Sequence, residues 1–461
     1  MIGVDDSINW LRWLFYLLAG VPFVAWLFFT RDRVLRLTAI VAFLMLVQDN
    51  IIGRRYLLGG TSVAPSSVLV YVALVAEVFS QRRLPQLGAH APLWMGFLFF
   101  AATNIVVGSI GTGFWGVNVK HFQIYYLEGI LLFAYGLMAL RGSPEVIRFS
   151  RHLMLIGLAV AAVHVFTAAT GFRFRNARAE AGVYYAGVLD NTNSLGSLYA
   201  MWIPVALSIL IGRRESPLWR FLMIGSIAGM LASLLLSGSR GGALFTLLMM
   251  MVTFGLSRAG ARRAIVATAV AVAMAGVGYL VVVSVAPYAW QEVLGIAEQE
   301  GLENRRLFLF GRYALMLMDN PLGIGLAPAN FSLRMAQYGI PGVVSAHNIY
   351  LDMALQTGIL GLLLFLWMVT LVLLQNRRAA TATPDAVERA ALLYLFLPTL
   401  GFLAVGMVQP IYSIPNKLNH LFWIGCGVSA ALSLQILAAR RAGRMRVEPE
   451  THGTPAHVQR V

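Results

Sequence analysis

The chain is a succession of apolar runs of bilayer-spanning length, separated by connections that carry most of its charge. A helix that crosses a membrane needs about 20 mostly apolar residues, with about 17 as a working minimum. Inside hydrocarbon each backbone N–H and C=O must be satisfied within its own segment, so such runs have to be helical. Thirteen runs qualify: 9–29, 37–52, 67–79, 92–109, 123–140, 153–169, 195–211, 221–236, 243–256, 264–285, 354–374, 390–407 and 418–437. Several are short and borrow flanking residues. The expectation is an all-α integral membrane protein, a polytopic bundle of about 12–14 transmembrane helices. Composition agrees: 59% of the 461 residues are hydrophobic and 12% charged, against roughly 25% charged in soluble domains. A soluble fold could not hide that much apolar surface. Disorder, collagen and coiled coil are excluded. A disulfide scaffold is excluded too, because Cys426 is the single cysteine. The N-terminal MIGVDDSIN has two aspartates and no basic cluster, so the first run reads as a retained span and not as a cleaved leader.

The net charge of +15 would suggest nucleic acid in a soluble protein. Here the basic residues punctuate apolar runs, and anionic lipid headgroups and orientation account for them, with no nucleic-acid partner. Alternate connections carry 22 and 12 Lys/Arg residues. The richer set belongs in the cytoplasm, which places the N-terminus outside and the C-terminus inside. The chain divides into N-terminal helices (1–171), central helices with an arginine-rich outside loop (172–286), a large outside loop (287–346), C-terminal helices (347–439) and a basic cytoplasmic tail (440–461).

Eight of the 12 outside basic residues fall in two long loops or in the SGSRGG turn: Arg173, Arg175, Arg178, Arg240, Arg305, Arg306, Arg312 and Arg334. Positive charge on the disfavoured face points to an anion bound there; the competing reading is headgroup contact by solvated arginines. In the large loop, 290–303 reads as an amphipathic helix and 305–318 as a second one, stopped at Asp319-Asn320-Pro321 because proline cannot continue a helix.

Three residues stand out chemically. His347, in SAHNIYLDMALQTGILGLLLFL, opens a helix at the outer boundary, with Ser345 placed to cap it and Tyr350 one turn on. Imidazole titrates near neutrality and suits proton transfer; the competing reading is a structural histidine. Arg240, in LLLSGSRGGALF, lies among small residues at the outer ends of two short spans. Its planar fork matches phosphate; the alternative is an ion pair with Asp49 or Glu128. Arg312, in GRYALMLMDNPLGIG, and Arg178, in FRFRNARAEAGVYYAGVLDNTNSLG, form a second tier. Phe172, Phe174, Tyr184 and Tyr185 interleave with the arginines around Arg178, as a sugar-stacking surface or an interfacial belt. Asp190, Asn191 and Asn193 are placed to cap the next span. No histidine or cysteine has metal-ligand spacing, so neither metal nor cofactor is expected. No Gly-rich phosphate loop or carboxylate pair marks a nucleotide-dependent enzyme.

The run SGSRGG, then GRYALMLMDNPLGIG, then AHNIYLDMALQTGILGLLLFL resembles the shared core of the O-antigen ligase and polymerase superfamily. The resemblance covers roughly residues 173–374, less than half of the chain. It implies an inverting, metal-independent membrane glycosyltransferase of the helical GT-C-like type. Its donor would be a glycan on undecaprenyl pyrophosphate, its acceptor lipid A-core or another glycan. It would work in the bacterial inner membrane with its active site facing the periplasm. Carried over by motif, Arg240 and Arg312 hold the pyrophosphate and His347 acts on the acceptor or leaving group, with Tyr350 beside it. Arg178 follows less closely, because the residues after it read LDNTN where the family has a shorter Arg-then-Asn-Pro-Asn pattern. A glycan polymerase and a protein oligosaccharyltransferase share this donor chemistry. The other class is a transporter or flippase, which the absence of two related halves disfavours.

Overall fold

The computed structural model describes residues 21–46, 55–56, 62–63, 65–82, 85, 87–110, 112–170, 189, 192–212, 215–256, 269, 276, 302–339, 345–409, 412 and 418–443. The first helices are α1 (Val21–Phe29), α2 (Arg33–Leu46), α3 (Pro65–Gln81) and α4 (Ala91–Ser109), the last led in by a 3₁₀ turn at Gly88–His90. Then come α5 (Trp115–His121), a π-helical turn at Phe122–Leu127, α6 (Glu128–Ala139) and α7 (Ser143–Thr170). The central helices are α8 (Thr192–Gly212), α9 (Pro217–Ser237) and α10 (Arg240–Leu256). The remainder are α11 (Leu302–Asp319), α12 (Pro328–Gln337), α13 (Ile349–Ala382), α14 (Ala386–Gly406) and α15 (Leu418–Arg441). Arg55–Tyr56 and Ser62–Val63 form one two-residue antiparallel pairing.

Among the described residues, eight helices are long and apolar enough to cross a membrane, and two shorter apolar ones lie at Ser67–Gln81 and Arg240–Leu256. The protein is thus an all-α polytopic membrane protein. Ten of the thirteen sequence-predicted runs fall on these helices; the run at 9–29 is described only from 21, as α1, the run at 37–52 only to 46, within α2, and the run at 264–285 lies outside the described residues apart from 269 and 276. The run placed at 123–140 starts earlier than expected, at Trp115, because the π turn joins α5 to α6 without a break.

Lipid tails are as apolar as leucine, so helices in a membrane associate through packing and polar contacts more than through hydrophobic drive. The burial pattern reflects this. For the apolar window of α8, 94% is buried, against 28% for that of α4, whose outer face meets lipid. α8 is wrapped by α7, α9, α10 and α14, while α6 packs on α15 and α13 on α4 and α15. Aromatic side chains lock the second group together, with the Trp94 and Trp423 rings 4.5 Å apart. Polar links cross the helices: Glu128 to His420 at 2.8 Å, and Asn376 to the Leu392 carbonyl and the Ser429 hydroxyl.

The side-chain links sort the helix ends into two sets. At one, Arg36 pairs with Glu77 at 2.7 Å, Arg33 and Gln81 donate to the Met138 carbonyl, and Asp32–Arg148 and Arg151–Glu215 close the rim. Basic connections leave from this end. The opposite end carries α11 and α12, which have a small core of their own: Tyr313, Met316, Ile324, Phe331 and Met335 pack with Ala346 and Leu355. As the sequence predicts, α11 stops at Asp319 before Pro321. The helix expected at 290–303 lies outside the described residues up to 301.

Candidate active site

The site is assembled around the segment 320–327, which is pinned from two sides. From α4, Asn104 donates to the Leu322 carbonyl at 2.9 Å and accepts the Gly325 N–H at 3.2 Å. From α5, the Asn118 Oδ1 accepts the N–H groups of Leu326 (2.9 Å) and Ala327 (3.0 Å) and the Asn330 amide (2.7 Å). A helix start leaves N–H groups without partners. Here the N-cap residue, Ala327, makes no side-chain cap bond, and its own N–H, with that of Leu326 before it, is taken by Asn118 from another helix. The sequence gives Pro328 as the only local sign of α12, at the first helical position where proline is favoured.

From the third side the segment enters a break in α13. Gly358 has φ 77° and ψ 168° inside an otherwise continuous helix. That positive φ is open to glycine and disfavoured for other residues. The break frees backbone groups, and the loop takes them: Ile324 N–H donates to the Leu355 carbonyl at 2.7 Å and Ile359 N–H to the Pro321 carbonyl at 2.9 Å.

Just before α13 lies the strap that carries His347. The cap is Asn348, whose Oδ1 accepts the N–H groups of Tyr350 and Leu351; Ser345, expected to cap, does not. Instead Ser345 donates its hydroxyl to Asp352 Oδ2 at 2.7 Å and accepts the His347 N–H at 3.0 Å. The Ala346 N–H donates to Asp352 Oδ1 at 2.8 Å. His347 has φ 53°, a left-handed conformation that costs a residue with a side chain about 1–2 kcal/mol. Its side chain is half-buried.

The α14 terminus joins this strap to the SRG turn. The Asn348 amide donates to the Met407 carbonyl at 2.8 Å, and the Tyr350 hydroxyl to the Leu403 carbonyl at 2.7 Å. Directly after Met407, Val408 and Gln409 lie against Gly241 in the first turn of α10. α9 ends at Gly238 in the left-handed conformation, and α10 starts at once with Arg240. Gly242 and Gly196 bring α10 and α8 into backbone contact, which a Cβ at either position would break. Ser239 donates to Asn193 across the same contact.

Arg240 is thus exposed at the start of α10 and His347 half-buried at the start of α13, at one end of the bundle. Arg312 is half-buried on α11, next to Tyr313. Burial, and then the nearby Asp352 carboxyl, push the Tyr313 hydroxyl above its ordinary value, so α11 reaches the strap. Tyr350 spends its hydroxyl on α14. Glu128, weighed as a partner for Arg240, pairs with His420 instead. Arg178 lies outside the described residues, as do Arg173, Arg175, Asp49, Asp190, Asn191 and the four aromatics between 172 and 185.

Sequence reading missed Asn104, Asn118, Asp352 and Gln409. Gln409 is 1% exposed, and among the described residues neither of its amide atoms has a hydrogen-bond partner. Among the described residues no group of three His, Cys, Asp or Glu side chains is placed to hold a metal ion.

Residues 225–366 match the family model described as O-antigen ligase. No curated protein matches the chain. The matched stretch contains Arg240, Arg312, the 320–327 segment, His347 and Tyr350, and over these residues the chain is similar to that family.

Proposed function

We propose that this protein is a member of the O-antigen ligase superfamily that transfers a glycan from undecaprenyl pyrophosphate to a sugar hydroxyl of lipid A-core, at the periplasmic face of the bacterial inner membrane. The observation that carries the reading is the convergence of the SRG turn and the HN strap on the α14 terminus, at the end of the bundle opposite Arg33, Arg36 and Arg148. Arg240 and Arg312 hold the pyrophosphate, which gains negative charge as it leaves, and fixed guanidinium groups stabilise that charge in the transition state. His347 takes the proton of the acceptor hydroxyl. The acceptor oxygen bonds to the anomeric carbon from the face opposite the leaving group, the bond from that carbon to the phosphate oxygen breaks, and the configuration inverts. Arg178 and Tyr350 are the further residues assigned to substrate binding. The energy arrives in the donor, so no nucleotide enters the step, and Arg240 and Arg312 supply the positive charge at the leaving group that a metal would otherwise bring.

The test is mass analysis of products from purified protein given a polyprenyl-pyrophosphate glycan with lipid A-core, with a second glycan-lipid or with acceptor protein. Transfer to the core sugar, cut by about two to four orders of magnitude in His347→Ala with donor binding kept, supports the reading. Transfer only to the second glycan-lipid makes the chain a polymerase. No transfer to any acceptor overturns the assignment.

A further inference from the structure

We propose that Asp352 is the positioning residue of the site: its buried carboxyl holds the strap from Ser345 to Asn348 in the left-handed turn that presents His347. The inference rests on the reading of His347 given above and adds a residue to it. Asp352 is 2% exposed. An acidic residue in a first turn is usually explained by the helix dipole or by capping. That explanation is insufficient here, because Asn348 already caps the N–H groups of Tyr350 and Leu351. Both Asp352 oxygens turn outward from the helix instead, one to the Ser345 hydroxyl and the other to the Ala346 N–H. Ser345 passes the restraint on by accepting the His347 N–H. Three successive residues are therefore tied to one carboxyl, and the third is the non-glycine residue with φ 53°. A conformation of that kind persists only where its surroundings over-determine it, and such strain collects at functional sites. The ring of bonds Asp352–Ser345–His347 is that over-determination. Tyr313 and Leu355 roof the strap together with Ala346, so water does not compete for the carboxyl.

The experiment is a kinetic cycle on the full-length protein, with a polyprenyl-pyrophosphate glycan as donor. Asp352→Asn keeps size and removes one acceptor. A displacement of about 1 Å at a reacting group costs about 100-fold, so kcat falls by about 10- to 100-fold with donor KM within about twofold. Added to His347→Ala, the same change costs no more than about twofold further, because the group it positions is gone. Ser345→Ala follows the same pattern should Asp352→Asn fail to accumulate, and Ser345→Thr, which keeps the hydroxyl, restores most of kcat. Losses that multiply in the double variant overturn the proposal while leaving His347 in place. A loss confined to KM does the same. Full activity in His347→Ala removes the role of His347 itself and overturns both.

Discussion

Replacing Asn118 by leucine tests whether the outside loop is held on the bundle by one carboxamide. Leucine fills nearly the same space and accepts no hydrogen bond. Three donors then lose their acceptor: the Leu326 and Ala327 N–H groups and the Asn330 amide. The Asn330 amide can rotate toward another partner, but the two backbone N–H groups are fixed in direction by the chain. Asn118 itself is 0% exposed, so water does not reach the site without opening it. A buried donor left unpaired costs about 1–3 kcal/mol. Taking the two backbone groups near the lower end and a fraction for the third gives about 2–3 kcal/mol, or roughly 30- to 150-fold in the equilibrium for local opening. Hydrogen exchange read by mass spectrometry on the full chain measures this: peptides covering 320–330 exchange faster by that factor, while peptides from α8 do not change. Asn118→Asp retains the acceptor and adds negative charge at the start of α12, which the helix dipole favours, but loses the bonds to Ser109 and Phe114. Its exchange therefore falls between the other two proteins. Unchanged exchange at 320–330 in the leucine variant, or an equal rise throughout the protein, refutes the reasoning.

Arg240→Lys keeps the charge and loses the two-pronged fork, so transfer falls steeply at constant protein level; near-normal transfer removes Arg240 from the pyrophosphate. Gln409→Leu replaces a buried amide without partners and raises the melting temperature in detergent, since burying an unpaired amide costs about 1–3 kcal/mol; a lower melting temperature contradicts this. Reporter fusions place the C-terminal tail in the cytoplasm and a tag at Gly301 outside; both on one side refutes the topology. Arg148 holds the Asp32 carboxyl below its ordinary value of 3.8, so the contribution of this pair is complete above that pH and lost as pH falls through the lowered value. Arg148→Ala accordingly costs about 0.2–1 kcal/mol at neutral pH, as exposed pairs do, and less once the pH is below the lowered value, by thermal unfolding; an equal cost above and below it counts against the pairing.

What could be read from sequence were the features written locally. Ten apolar runs fall on apolar helices because span length is fixed by the bilayer, and α11 stops at Asp319 because Pro321 follows. The SRG and HN motifs, placed on one side by counting arginines, do meet at one end. The cap of α13 was assigned to Ser345 because serine and asparagine cap about equally well; the left-handed turn at His347, invisible to composition, hands the role to Asn348. The break at Gly358 was missed because glycine is common in membrane helices, and what opens the helix here is the loop entering from 321–324. Asn118 was missed because its partners stand 208–212 residues away, beyond the reach of any periodicity.

That separation also sets an order of events during synthesis. At about 5–20 residues per second, α5 leaves the ribosome about 10–40 s before Leu326 does. In that interval the Asn118 amide can use its near neighbours Ser109 and Phe114, leaving its oxygen for the later arrival. The site cannot close until α4, α5 and the broken helix α13 have all been inserted, because 320–327 is bonded to each of them. A chain threaded with one helix missing or reversed would have its two motifs but no platform to set them on, so catalytic competence doubles as a check on correct insertion.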